Sequence, residues 1–210
     1  MAKKAFMSMS PFKVTVNQKQ LLKEIHVKNA RVMSLKLRKT IEPKLETKQQ
    51  NLIKKLKAHP ITLEIDGGPT ATNSSGALGG YGNLFSFIGF SSGSDPTNII
   101  KQIFSEKIKF KVKRRNSTGK YTITFYIPSV EEIYKLTPIP WASGKSWVDG
   151  IEKGMSNLGS YLYSASGFPS STSGTGLQSK NKTSGVSFRT TPYVSKLIDN
   201  FKNRLKRLDK

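Results

Sequence analysis

The stretch KIKFKVKRRNSTGKYTITFYIPS, residues 107–129, decides the fold. Apolar residues alternate with lysines through its first half and with threonines through most of its second half, across a polar NSTG turn. Period-two alternation on both sides of such a turn predicts an antiparallel hairpin over 108–126 with one buried face. Pleating directs the ring residues toward the core and the basic residues to the opposite face. That outer face presents Lys109, Lys111 and Lys113.

Helical patterns surround the hairpin. Apolar residues recur at helical spacing through 18–58, where Pro43 should break or kink the helix or begin a second one. Shorter helices are predicted at 95–107, 129–136, 147–161 and 192–210, and a short strand is predicted at 61–66. The helix at 129–136 begins with Ser129 and Glu132 at the spacing of a capping box. The sequence therefore predicts an α+β protein, with a small antiparallel sheet packed by helices, a long basic N-terminal helical arm and extended loops.

The chain divides into two regions by composition. Residues 1–60 form the basic N-terminal arm with its helices, and residues 61–210 form the α+β domain. Two loops interrupt that domain, a neutral glycine-rich loop at 66–95 and a Gly/Ser-rich loop at 164–176. No internal repeat is visible.

The neutral loop contains SGALGGYGNLFSFIGFSSGS, residues 75–94, which carries no charge in a strongly basic chain. Exposed aromatic side chains would be unfavourable in water, so such a segment either meets a partner or folds back on its own domain. Glycines allow its backbone to follow a neighbouring surface closely. We expect this loop and the N-terminal arm to contact adjacent subunits. The candidate interaction residues are Tyr81, Phe85, Phe87 and Phe90, together with the three hairpin lysines.

The charge of the chain predicts an acidic partner. Its 210 residues include 35 Lys or Arg and 13 Asp or Glu, for a formal net charge of +22. More than half of this excess lies in residues 1–58. Nucleic acid, an acidic protein surface and anionic lipid are the partners that such a charge favours. The chain has no cysteine, so disulfide and thiolate chemistry are excluded.

Catalytic and metal motifs are missing from the sequence. The segment WASGKSW, residues 141–147, resembles the end of a phosphate-binding loop, but Ile139 stands where that loop requires glycine. His26 and His59 are the two histidines, and neither has a second ligand at metal spacing. We therefore expect no enzyme activity, no metal and no cofactor. The longest uncharged window, 67–94, is too rich in glycine, serine and proline for a membrane helix, so we expect no membrane partner.

Several phrases give the chain a family resemblance. The segments LKAHPITLEIDGGPTATNSSGALGGYGNLFSFIGF, PIPWASGKSWVDGIEKGMSNLGSYL, SGTGLQSK and TPYVSKLIDNFKNRL, in this order around the hairpin, resemble neck or tail-completion proteins of tailed bacteriophages. The resemblance begins near Leu56 and leaves out residues 1–30. It implies a structural virion protein of the head-to-tail connector, located in the neck and tail region after assembly in the host cytoplasm. It transfers no site residues.

The partners implied by this resemblance are copies of the chain in an oligomeric ring, neighbouring connector, portal or tail proteins, and the DNA genome that passes through the ring. The alternative is a basic nucleic-acid-binding protein that uses the N-terminal helix and the 108–126 hairpin. Phosphate binding should weaken steeply with salt, whereas assembly through an apolar surface should not.

Overall fold

The computed structural model describes residues 10–14, 30–79, 82–115, 120–140, 142–154, 162–163, 177–178 and 188–207. The helices are α1 (Ala30–Lys57), α2 (Pro60–Asp66), α3 (Leu84–Ile88), α4 (Asn98–Glu106), α5 (Val130–Leu136), α6 (Trp147–Lys153) and α7 (Val194–Leu205). The strands are β1 (Ser10–Val14), β2 (Lys109–Arg115), β3 (Lys120–Ile127), β4 (Pro138–Ile139), β5 (Ala142–Ser146), β6 (Leu162–Tyr163) and β7 (Leu177–Gln178). The predicted α+β class is confirmed.

The main sheet has three antiparallel strands in the order β1-β3-β2. Its hairpin, β2 with β3, is the one that the alternating pattern predicts, and Phe110 lies opposite Phe125 in the register. The centroids of these two rings are 6.3 Å apart. Along β3 the side chains alternate between buried and half-buried positions, which confirms that the hairpin has one buried face. The two smaller sheets, β4-β5 and β6-β7, each contain two short antiparallel strands.

Strand β1 was not predicted. It comes from the region assigned to the helical arm, and it pairs with β3 so that Phe12 lies opposite Phe125. Pro11 cannot donate to a ladder, which is tolerated at the edge of a sheet. Lys206, just after α7, places its Nζ 5.5 Å from the centroid of the Phe12 ring. The beginning and the end of the described chain therefore meet at this edge.

Helix α1 is one continuous helix with Pro43 inside it. The sequence predicted that this proline would break or kink the run or begin a second helix, and the first and third of these outcomes are wrong. A proline inside a helix removes one backbone hydrogen bond, at a cost of about 3 kcal/mol. Burial of Ile41 and Leu45, on either side of Pro43, offsets this cost because both belong to the main core.

Residues 60–66 form helix α2, so the predicted strand there is wrong. Pro60 occupies the first turn, and Nδ1 of His59 accepts a hydrogen bond from the N–H of Ile61 at 3.3 Å. Alternation would have placed Leu63 on the buried face of a strand. In the helix Ile61 and Ile65 are buried one turn apart, and Leu63 is 55% exposed. Local capping by the His59-Pro60 pair thus decides between the two patterns.

Helices α4, α5 and α7 lie where the sequence predicted helices, whereas α3 lies in the segment that was predicted to be a loop. Helix α5 has the predicted capping box, in which Ser129 Oγ accepts from the N–H of Glu132 at 3.2 Å and Glu132 Oε2 accepts from the N–H of Ser129 at 2.9 Å. Helix α4 begins at Asn98, whose N–H donates to Asp95 Oδ1 at 3.1 Å. Helix α7 buries the predicted apolar stripe. The helix predicted over 147–161 is shorter, because α6 ends at Lys153 before Gly154 at φ 100°; residues 155–161 lie outside the described part of the chain.

One large apolar core joins the elements. Leu52 and Leu56 of α1 belong to the same cluster as Trp147 of α6 and Tyr193 beside α7. The compositional boundary after residue 60 falls at the first residue of α2, and core residues lie on both sides of it. A smaller cluster contains Met33, Leu37 and Tyr121, where the first half of α1 crosses the hairpin. The predicted Gly/Ser-rich loop at 164–176 lies outside the described residues.

Candidate interaction surfaces

The neutral segment is anchored by a buried glutamate. Glu64 of α2 is 1% exposed, and its two side-chain oxygens accept from the backbone N–H groups of Ser75 at 2.9 Å and Leu84 at 2.7 Å. Asn83 then caps α3, because its Oδ1 accepts from the N–H of Ser86 at 2.9 Å. Its Nδ2 donates to the carbonyl of Pro69 at 2.7 Å. The segment is therefore held at its start and at its middle to α2 and the turn that follows it.

The rings of this segment lie inside the domain. Phe85 is 1% exposed and Phe90 5%. The Phe90 ring meets the Trp147 ring edge-on with a centroid separation of 5.7 Å, and the half-buried Phe87 stacks on Phe188 at 5.9 Å. Of the two outcomes open to an apolar loop, folding back on its own domain is the one observed for these rings.

This burial corrects the expectation that Phe85 and Phe90 form an exposed interaction surface. The physical reason is that the segment forms the short helix α3, in which every residue is buried or half-buried. Gly89 ends this helix in the left-handed conformation at φ 82°, where its N–H donates to the carbonyls of Phe85 and Ser86. Deleting residues 76–90 would remove part of the core as well as any contact surface. Tyr81, the fourth aromatic candidate, lies outside the described residues.

Replacing Glu64 tests this anchor. We expect Glu64→Ala to lower the free energy of unfolding by about 2–4 kcal/mol, because the buried N–H of Leu84 and the half-buried N–H of Ser75 lose their acceptors. Glu64→Gln retains one acceptor oxygen, so its free energy of unfolding should lie between those of the wild type and Glu64→Ala. Urea unfolding followed by circular dichroism measures the change. The exposed Glu42→Ala is the control, and a Glu64→Ala protein as stable as this control would contradict the assignment.

The hairpin lysines occupy the surface that the sequence predicted. Lys109, Lys111 and Lys113 are all exposed on β2. Side chains two residues apart on a strand are separated by about 6.6 Å, so the three ammonium groups form a row. The hairpin from 109 to 127 contains six basic residues and no acidic residue. This row of positive charge is available for phosphates or for acidic side chains.

A cavity of about 530 Å³ lies where the end of α1, the start of α2 and the first half of α7 meet. His59 and Tyr193 are its central residues, and their ring centroids are 4.8 Å apart. Tyr193 is fully buried, and its hydroxyl is 2.6 Å from the hydroxyl of Thr62. Burial raises the pKa of Tyr193 above its ordinary value. The sequence analysis singled out neither this cavity nor Tyr193 as part of a site, because its walls come from distant parts of the chain.

The pKa of His59 is lowered below its ordinary value, first by burial and then by the charge of Lys196. His59 also accepts a hydrogen bond through Nδ1, which only the form without a proton on Nδ1 can do. Because the folded pKa lies below the unfolded pKa, the unfolded chain binds more protons as the pH falls below about 6.5. Stability contributed by the neutral histidine is therefore lost on acidification through this range.

The variant His59→Asn measures this effect, since asparagine is a good N-cap without a titrating ring. We expect wild-type stability to fall relative to the variant below about pH 6.5, with a slope of at most about 1.4 kcal/mol per pH unit for one proton. Paired urea titrations from pH 8 to pH 5 give the difference. His26 is retained in both proteins and cancels. Parallel stability curves for the two proteins would refute the prediction.

Glu152 of α6 joins three elements. Its Oε1 accepts from the N–H groups of Tyr193 at 2.9 Å and Ser195 at 2.8 Å, and its Oε2 accepts from the Tyr134 hydroxyl at 2.6 Å. Burial and this hydrogen bond raise the pKa of Tyr134. The carboxyl group thus ties α5 and α6 to the start of α7, which is a structural task.

Metal-ligand clusters and membrane-spanning helices were sought among the described residues. They bring together no three His, Asp or Glu side chains that could hold a metal ion. In WASGKSW, Ser146 Oγ accepts from the N–H of Asp149 at 3.2 Å, so this serine caps α6. Among the helices of the described residues, none combines the length and apolar character of a membrane span.

Comparisons with protein-family models, with curated proteins and with solved structures gave no match to this chain.

Proposed function

We propose that the protein is a structural virion protein of a tailed phage, a neck or tail-completion subunit that joins the head, through its portal or adaptor, to the tail by ring assembly. It acts by binding copies of itself and neighbouring connector, portal or tail proteins, and it has no catalytic role. The neck and tail region of the virion is its proposed location. The resemblance of its phrases to this class of protein suggests the role, and its surface provides the physical support.

The observation that carries the proposal is the first half of α1. Met33 and Leu37 on one side of this helix pack against Tyr121 of the hairpin. Val32 and Leu35 on another side are 46% and 51% exposed. Exposed apolar side chains on two successive turns of a basic helix are typical of a surface that a neighbouring subunit covers. In a heterologous ring this helix would contact the next copy.

The sheet offers further contact surfaces. Strands β1 and β2 are its two edges, since β3 pairs with both. Edge strands expose unpaired backbone groups, which can hydrogen-bond to another chain. Lysines along β2 disfavour contact between like-charged copies at that edge, so acidic neighbours suit it better.

Self-association of the purified full chain is expected to depend on Val32 and Leu35. The double variant Val32→Ser/Leu35→Ser should weaken association by about 2–4 kcal/mol, given the apolar area lost. Light scattering across protein and salt concentrations measures it. Raising salt should strengthen association by screening the repulsion between copies. The matched control is Leu63→Ser/Leu136→Ser, which changes two exposed leucines elsewhere; equal effects of both pairs would contradict the assignment.

The virion role is tested in the phage that encodes the chain. A nonsense mutation early in the gene should give DNA-filled heads and separate tails that do not join, as seen by electron microscopy of the lysate. Supplying the wild-type chain in the host should restore complete particles. Normal infectious particles made without the protein would refute the proposed function.

The row of hairpin lysines favours one alternative, a nucleic-acid-binding protein. If these lysines contact phosphates, Lys109→Gln/Lys111→Gln/Lys113→Gln should reduce the slope of log K against log salt by about 2.7, at about 0.9 per contact. Fluorescence anisotropy with a 20-base-pair duplex measures the slope. The control removes three positive charges elsewhere, at Lys135, Lys145 and Arg204. An equal loss in both variants would assign DNA binding to net charge alone.

A further inference from the structure

The cavity beside His59 has an apolar lining and enough volume to hold a side chain of another molecule. Its floor is apolar and includes Ile61 and Leu197, and two prolines, Pro60 and Pro192, stand at its sides. Its volume of about 530 Å³ is large enough for one or two apolar side chains of a partner. The hydroxyl of the buried Tyr193 is already paired with that of Thr62 at 2.6 Å.

The charge around this opening has one sign. Lys55 of α1 and Lys196 of α7 line it from two different helices, and both side chains are exposed. No acidic residue is among the lining residues. Glu152 lies close enough to influence His59, but its oxygens are occupied by the start of α7 and by Tyr134. An apolar floor between two cations is complementary to an apolar side chain flanked by carboxylates.

We propose that this cavity docks an acidic peptide segment of a neighbouring protein, in which an aliphatic or aromatic side chain enters the apolar floor and flanking carboxylates pair with Lys55 and Lys196. The inference deepens the proposed function and rests on it for the source of the segment, which is a neighbour in the assembly. It assigns that neighbour a chemistry, namely an acidic stretch with an apolar anchor.

Nucleic acid fits this cavity less well than a peptide. Single-stranded binding uses exposed aromatic faces on which bases stack. Tyr193 is fully buried here, with its ring packed between His59 and Trp147 at centroid distances of 4.8 and 6.3 Å. Two lysines around an apolar floor also differ from the lysine row on β2, which is better spaced for a phosphate backbone.

The test uses the full chain and two fluorescein-labelled peptides of equal charge, GDDLFDDG and GDDGGDDG, with anisotropy measured at 0.15 M salt. The peptide with the apolar pair should bind at least about tenfold more tightly, which corresponds to 1.4 kcal/mol. Equal affinity of the two peptides would overturn the proposal, because it would show attraction to net charge without use of the apolar floor.

Three variants locate the binding. Lys55→Glu/Lys196→Glu should weaken the binding of GDDLFDDG by about a hundredfold, because two attractive charge pairs are replaced by two repulsive ones. The control Lys54→Glu/Arg204→Glu makes the same change in net charge on the same two helices, outside the cavity, and should have a much smaller effect. Asn200→Trp, an exposed position on the cavity rim, should block entry by bulk. Circular dichroism melts verify that each variant is folded.

Other outcomes are equally informative. Equal weakening by both charge-reversal pairs, or unimpaired binding by Asn200→Trp, would overturn the docking site. Displacement of the peptide by duplex DNA that depends on Lys55 and Lys196 would assign the cavity to nucleic acid instead. Peptide binding reports on the cavity alone, whereas the nonsense mutation reports on the virion role, so failure of one is distinguishable from failure of the other.

Discussion

A single buried carboxyl group organises much of the domain. Glu64 places two acceptor oxygens on the inner side of a short helix, and the neutral segment folds so that its N–H groups reach both of them. A buried acceptor of this kind is stable only when its hydrogen bonds are made. The position of α3 follows, and with it the packing of Phe90 against Trp147. Burial accounts for the absence of charge over residues 83–90, which are all buried or half-buried.

Local signals in the sequence were sufficient for part of the fold. The hairpin, the capping box of α5 and the stripe of α7 depend on residues close in sequence, and each was predicted. Strand β1 and helix α2 were not, because β1 is defined by its pairing with β3 and α2 by a histidine cap that overrides an alternating pattern. The helix continues through Pro43 because Ile41 and Leu45 are buried in the core, and local helix propensity does not predict such tertiary burial.

The candidate sites divide in the same way. Lys109, Lys111 and Lys113 were placed correctly because period-two alternation fixes which face of a strand they occupy. The aromatic residues of the neutral segment were wrongly assigned to a surface. Their burial depends on the hydrogen bonds from Ser75 and Leu84 to Glu64, which composition does not reveal. The cavity between Lys55 and Lys196 unites residues distant in sequence. Its only visible signal was His59 before a proline.

The pairing of Phe12 with Phe125 also sets an order of events during synthesis. Strand β1 is synthesised before α1, whereas its partner β3 follows α4 and β2, more than 100 residues later. At about 5–20 residues per second this interval is many seconds, much longer than a hairpin needs to form. The β2-β3 hairpin can therefore close first, and the N-terminal strand joins it as a late step. Until then β1 stays free of the sheet.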